Sequence, residues 1–258
     1  MMELKTDASI DAMHAAGRVV GRALTAVQEA ARVGVTLSEL DEVAREVLRE
    51  AGASSPFLGY RPAFAPVPFP AVICTSVNDA IVHGIPTGRQ LRDGDLLSVD
   101  CGAELDGWVG DSAISFVVGR PRPADLRLID TAERALAAGI EAAVAGNRIG
   151  DIAHAVGRVC RSAGYGIMGG FGGHGVGRRM HEEPEVPNEG RPGRGIPLRP
   201  GMVIAIEPML IASGSDAYCT ASDGWTLRTI DGSRAAHVEH TVAITEQGPR
   251  ILTARARA

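Results

Sequence analysis

The sequence predicts an α+β fold in which two similar halves share an antiparallel sheet covered by helices on one face. Three observations lead there. A stretch of the first half recurs at an offset of 112 residues. Each copy opens with two helix patterns and continues into strand patterns. An Asp106-Gly107 dipeptide between two apolar runs signals a tight hairpin, which pairs its strands antiparallel.

The repeat sets Arg22–Gly34 (RALTAVQEAARVG) against Arg134–Gly146 (RALAAGIEAAVAG), with eight of thirteen positions identical. Alanine matches carry little weight in helices, but the gapless Gly, Arg, Leu and Glu matches carry more. The register continues, with Leu37 against Ile149, Leu40 against Ile152, Val47 against Val159 and Arg49 against Arg161. A first helix is predicted from about Ile10 to Arg32, ended by Gly34. A second starts at Thr36, whose hydroxyl can cap while Glu39 reaches back, and stops at Gly52 in the left-handed cap glycine favours. Leu37, Leu40, Val43, Ala44 and Val47 form its core-facing stripe. Strands are predicted at Val72–Asn78, Leu96–Leu105 and Trp108–Val118, then at Met202–Glu207 and Val238–Thr245. The expected organisation is one domain over residues 1–258, with halves of about 10–120 and 121–252.

Composition narrows the function classes. A net charge of −5 argues against nucleic acid as the main ligand, because phosphate binding wants a basic surface. No apolar run reaches the roughly 18 residues a membrane helix needs. The leading segment MMELKTDASIDAMHAAG carries acids, unlike a signal peptide. Four scattered cysteines with no C-x-x-C pair read as free thiols in a reducing compartment. A cytoplasmic protein without a membrane partner is the expectation.

The acids and histidines carry the chemistry. With a two-residue turn at Asp106-Gly107, Asp100 falls opposite Ala113 and Asp111 opposite Gly102. That makes the two carboxylates diagonal neighbours on one face, roughly 7–8 Å apart at the backbone. Such a pair repels and loses solvation unless a cation lies between; the alternative is that both face solvent. Glu207 ends an apolar run before Pro208, where a ladder must stop. Glu239 lies in HVEHTVAIT, on the face opposite Val238, Val242 and Ile244. His174 sits among glycines in GGFGGHGVGRRMHEEP, and His181 follows seven residues later. Singly these are a turn histidine or surface acids. Together, four carboxylates and an imidazole suit two borderline divalent ions better than a thiolate zinc site, and two such ions can share a hydroxide nucleophile and polarise a carbonyl.

The ordered set Asp100, Asp111, His174, Glu207 and Glu239, embedded in NDAIVHGIP, GDLLSVDCG, GHGVGRRMHEEP, IEPM and VEHT, resembles methionine aminopeptidase from about Ile10 to Leu252. The short gap between Glu207 and Glu239 is similar to the type I enzymes. The resemblance implies the duplicated "pita-bread" fold of the creatinase/aminopeptidase superfamily. It implies two divalent ions (Co, Mn, Fe or Zn) on those five ligands, with Asp111 and Glu239 touching both and Glu207 doubling as acid/base. His83 would position the amine and scissile amide, and His181 would bond the peptide and stabilise charge on the carbonyl oxygen. The implied reaction is removal of initiator methionine from nascent chains with a small second residue, by a metal-bridging hydroxide acting on the first peptide bond. Partners would be nascent N-termini, with a monomer sufficing; a contact with the ribosome near the exit tunnel is left open.

Family members line the methionine pocket with aromatics and a cysteine, and Phe57, Tyr60, Cys74, Met180 and Trp225 occupy or approach those positions. Met180 departs from the aromatic often found before the second histidine. The loop over 61–71 (RPAFAPVPFPA), with Phe64 and Phe69, is richer in proline than the family pattern and reads either as a lid or rim or as a surface loop without a role. Two other functions compete: an X-Pro peptidase of the same fold, against which the lack of a leading domain counts, and an inactive binding module, against which the intact ligand set counts.

Overall fold

A computed structural model describes residues 3–63 and 65–255; Phe64 lies outside the described residues. Helix α1 runs over Asp7–Ala30, starting three residues before the predicted Ile10 because the Thr6 hydroxyl accepts from Ser9 N at 3.2 Å and caps the end. Helix α2 (Leu37–Glu50) has the expected capping box: Glu39 N donates to Thr36 Oγ1 at 3.2 Å and Thr36 N donates back to Glu39 Oε2 at 2.7 Å. Helices α3 (Pro123–Ala142) and α4 (Ile149–Ser162) repeat the pair, and α2 and α4 match the 112-residue offset at both ends. Leu40 and Ile152, aligned by the repeat, are both fully buried. At the equivalent cap of α4 half the box survives: Arg148 N donates to Asp151, but an arginine side chain cannot accept the return bond.

The strands are β1 (Ile73–Val77), β2 (Ala80–Val82), β3 (Leu96–Leu105), β4 (Trp108–Val117), β5 (Gly166–Ile167), β6 (Gly172–Gly175), β7 (Glu182–Pro187), β8 (Val203–Ile206), β9 (Met209–Ile211), β10 (Tyr218–Thr220), β11 (Leu227–Thr229), β12 (Ala235–His237), β13 (His240–Thr245) and β14 (Gly248–Ile251). All their pairings are antiparallel. The single shared sheet expected from sequence is divided. A three-stranded β1-β3-β4 set belongs to the first half and a five-stranded β14-β13-β8-β6-β7 set to the second; two small sets, β10-β11-β2 and β12-β9-β5, flank them. The predicted strand over Val238–Thr245 begins only at His240, because Val238 and Glu239 lie outside the ladders, between β12 and β13. Pro208 interrupts the partner strands β8 and β9 at the matching point.

The two main sets meet through side chains. Thr241 Oγ1 accepts from Asp111 N at 2.9 Å and donates to Asp111 O at 2.7 Å, and Ser112 Oγ donates to Glu239 O at 2.6 Å. One backbone bond, Glu239 N to Ala113 O at 3.0 Å, crosses the same seam. Helices α1 and α2 bury their stripes on the first set and α3 and α4 theirs on the second, so each half has its own apolar core. Helix α1 approaches β4 very closely: a Cβ on Gly110 would lie 2.9 Å from Gly17 Cα.

Candidate active site

The Asp106-Gly107 turn has positive φ at both residues (53° and 74°), as a two-residue hairpin requires. It sets β3 against β4 in the predicted register, with Asp100 facing Ala113 and Asp111 facing Gly102. The strand face carrying the two aspartates points away from the helices. His174 arrives on β6, which can lie across β8 because it is glycine: a Cβ on Gly173 would be 2.0 Å from Ala205 O. Glu207 and Glu239 stand at the two ladder breaks described above.

These residues converge. Ligand atoms of Asp111, His174 and Glu239 lie within 4.8 Å of one another. His174 Nε2 is 3.9 Å from Asp111 Oδ2 and 3.7 Å from Glu207 Oε1. His174 Nδ1 donates to the Gly175 carbonyl at 3.0 Å, which leaves the Nε2 lone pair facing the carboxylates. Asp100 Oδ1, Asp111 Oδ1 and Glu239 Oε1 are buried without a hydrogen-bond partner among the described residues. Burial is the largest cause raising Asp100, to about 7, with the Glu207 charge adding and His237 opposing. Burial, then the neighbouring carboxylates, pushes Asp111 and Glu239 well above the usual range. Burial raises Glu207 too, but the His237 contact and the charges of His174, His237 and His83 together hold it below its ordinary value. Packed carboxylates with orphaned oxygens are a poor arrangement for a bare protein and a good one for hard or borderline divalent cations; the donor set fits such ions.

A cavity of about 630 Å³ opens above this cluster. The predicted pocket residues Phe57, Tyr60, Cys74, Met180 and Trp225 all line it, as do His83 and His181. Phe69 packs edge-on against Trp225 (5.1 Å between centroids) and against Phe57 (6.4 Å). The Trp225 indole donates to Val67 O at 2.9 Å, so the proline-rich loop is a rim fastened to the pocket wall. Burial and the nearby aspartates push the Cys74 thiol up, which keeps it a neutral wall group. His83, at φ 59°, faces Trp225 and Phe171 at 6.2 and 5.9 Å between ring centroids. His181 lies 4.2 Å from the His174 ring and 5.3 Å from Tyr60. Burial lowers both His83 and His181 to about 4.

The loop bearing His181 has its own anchor. Lys5 Nζ, with its side chain 3% exposed, pairs with Glu182 Oε2 at 2.8 Å. The other oxygen of Glu182 accepts from Arg178 N and Arg179 N, at 2.9 and 3.2 Å.

The profile of metallopeptidase family M24 matches residues 11–246. Methionine aminopeptidase 1 of Mycobacterium tuberculosis is 52% identical over 95% of this chain and 92% of its own length. The chain belongs to the M24 metallopeptidases, in their methionine aminopeptidase branch. Methionine aminopeptidase of Clostridium acetobutylicum is 46% identical over 98% of this chain and 99% of its own. The solved methionine aminopeptidase of Thermotoga maritima superposes with a TM-score of 0.93 at 37% identity, covering 98% of this chain and 99% of that one. The prolidase of Pyrococcus furiosus shares the fold alone, with a TM-score of 0.77 at 23% identity over 66% of its length.

Sequence reasoning about this M24 chain missed the wall residues Phe171 and Met209, and His237 beside Glu207. Phe171 lies in the glycine-rich stretch already singled out and Met209 follows Pro208, so both had a positional signal. His237 had none beyond its place two residues before Glu239; in an apolar AAHV run it reads as strand filling, yet its Nε2 is 3.4 Å from Glu207 Oε2.

Proposed function

We propose that this M24 enzyme removes the N-terminal methionine from polypeptides whose second residue is small. The observation that carries the reading is the convergence of Asp100, Asp111, His174, Glu207 and Glu239 on a cavity also lined by Phe57, Phe69, Cys74 and Trp225. Those five residues would hold two divalent ions; Mn, Fe, Co and Zn all suit the donors. When bound, the ions supply the charge that acidifies a water and polarises the scissile carbonyl.

The chain's own groups supply the rest. Glu207 takes the water's proton and returns it to the leaving amine. His83 and His181 are neutral near pH 7, given their lowered values. His83 orients the amine and amide nitrogen, and His181 donates to the carbonyl oxygen as charge grows there. The aromatic wall takes the methionine side chain, whose sulfur gains from ring contact, and the apolar enclosure excludes water. Neither half owns a complete donor set, which supports a single catalytic domain over residues 1–258. Nascent N-termini are the proposed partners, a monomer suffices, and the cytoplasm is the proposed compartment.

The test is release of methionine from a Met-Ala-Ser peptide by protein reloaded with Mn²⁺. Activity should vanish on chelation and fall by at least about 10³-fold in Glu207→Ala. Full activity of that variant would sink the mechanism, and faster cleavage before proline than of Met-Ala-Ser would move the chain to an X-Pro specificity. Separating the halves by a cut within Arg120–Pro123 should abolish metal binding; a half that binds two ions alone would refute the single domain.

A further inference from the structure

We propose that His237 is a positioning residue for Glu207, donating from Nε2 to one carboxylate oxygen so that the other stays turned toward His174 and the ligand cluster. The inference rests on the metal-site reading above. Glu207 faces an imidazole on each side: His174 Nε2 is 3.7 Å from Oε1 and His237 Nε2 is 3.4 Å from Oε2. His237 is 2% exposed, and among the described residues its Nε2 makes no hydrogen bond; the Glu207 carboxylate is the acceptor it faces. A histidine that merely fills core would satisfy that nitrogen elsewhere; here it points at the carboxylate, and such contacts tighten when a site is loaded.

The imidazole is held from behind. His237 N donates to Ser115 Oγ at 3.0 Å and Ser98 Oγ at 3.3 Å, His237 O accepts from Ser115 Oγ at 2.7 Å, and the two hydroxyls are 2.7 Å apart. These serines lie on β3 and β4 of the first half, so that half fixes a residue of the second. On the other strand His237 pairs with Met209, two residues beyond Glu207, whose own carbonyl accepts from Asn188 Nδ2 at 2.9 Å. Both backbones are therefore fixed, and the carboxylate's remaining freedom is rotation about its side-chain bonds. A donor at Oε2 removes that freedom, in the way partners of metal ligands orient them elsewhere.

The experiment compares the parent with His237→Leu and His237→Gln. Mn²⁺ affinity is read by calorimetry on metal-free protein, kcat and KM are read on Met-Ala-Ser, and thermal melting monitors folding. The leucine variant should bind Mn²⁺ about 10–100-fold more weakly and lose kcat with KM little changed. The glutamine variant, whose amide can still donate, should restore both to within about threefold of the parent. If leucine at this position prevents folding, His237→Asn replaces it, since its amide is too short to reach Glu207 and should fail as leucine does. Unchanged Mn²⁺ affinity and kcat in the variants lacking the donor would overturn the proposal, and so would a glutamine variant as impaired as leucine. A parent that binds Mn²⁺ and cleaves normally while the variants match it condemns this inference alone; a parent that binds no Mn²⁺ overturns the metal site with it.

Discussion

Metal loading should release protons, and the count follows from the buried carboxylates. In the metal-free chain Asp100 sits at about 7, so at pH 7 it carries about half a proton. Burial and the neighbouring carboxylates hold Asp111 and Glu239 above the ordinary carboxylate range as well. Divalent ions require all three ionised, so filling the site at pH 7 should expel at least about half a proton, the share held by Asp100. The combined affinity should then rise with pH through neutrality. Titrating Mn²⁺ into metal-free protein in two buffers of different ionisation enthalpy measures the number directly. Stability is linked with the opposite sign. The unfolded chain releases these protons near pH 4 while the folded metal-free chain keeps them, so metal-free stability falls as pH rises from about 4 through about 7. Asp100 alone, moved from 3.8 to about 7, accounts for up to about 4 kcal/mol of that loss. The melting shift on adding Mn²⁺ should accordingly grow from pH 5 to pH 8. Release of less than about half a proton at pH 7 would refute the reasoning, because the carboxylates would already be charged without a cation.

Other expectations are as specific. Lys5→Met leaves the half-buried Glu182 without its lysine and should lower stability by about 1–3 kcal/mol in urea unfolding; with the loop of His181 loosened, kcat should fall while Mn²⁺ affinity holds. Gly173→Ala forces a methyl to within 2.0 Å of Ala205 O, so β6 must shift; a loss of about 1–3 kcal/mol in stability should accompany weaker Mn²⁺ binding through displaced His174. Trp225→Ala opens the pocket wall and releases the rim at Val67, and should raise KM for Met-Ala-Ser at least about tenfold; an unchanged KM would place the methionine side chain elsewhere. His240, lowered by burial from 6.5 to about 4, favours the folded chain above pH 6.5, and that contribution disappears as pH falls to about 4. His240→Gln should therefore lose up to about 3 kcal/mol less than the parent across that window in acid unfolding.

The helices and the β3–β4 hairpin were legible because their signals are local. Caps at Thr36 and Gly52 and the Asp106-Gly107 turn act within a few residues, and the repeat carried the second helix pair by copying the first. The ligand set was legible through family resemblance more than through spacing, since its five members come from four separate segments. The divided sheet was not legible: nothing around Val238-Glu239 breaks an apolar alternation, and the break arises because Glu239 pairs its backbone with Ala113 of the other half. The rim role of the proline-rich loop depends on Phe69 and Val67 meeting Trp225, more than 150 residues away. His237 stayed hidden for the same reason, as its meaning lies in what Glu207 lacks without it.

The seam of hydroxyls has an experimental use beyond holding the halves together. The Asp111 amide is donated to Thr241 Oγ1 and the Glu239 amide to Ala113 O. Neither bond exists unless the two halves are docked, whereas the amides within each helix pair stay protected by local turns. Hydrogen–deuterium exchange at these two positions is therefore a built-in reporter. Exchange there faster than in α2 and α4 would show the halves parting as intact foldons before either melts.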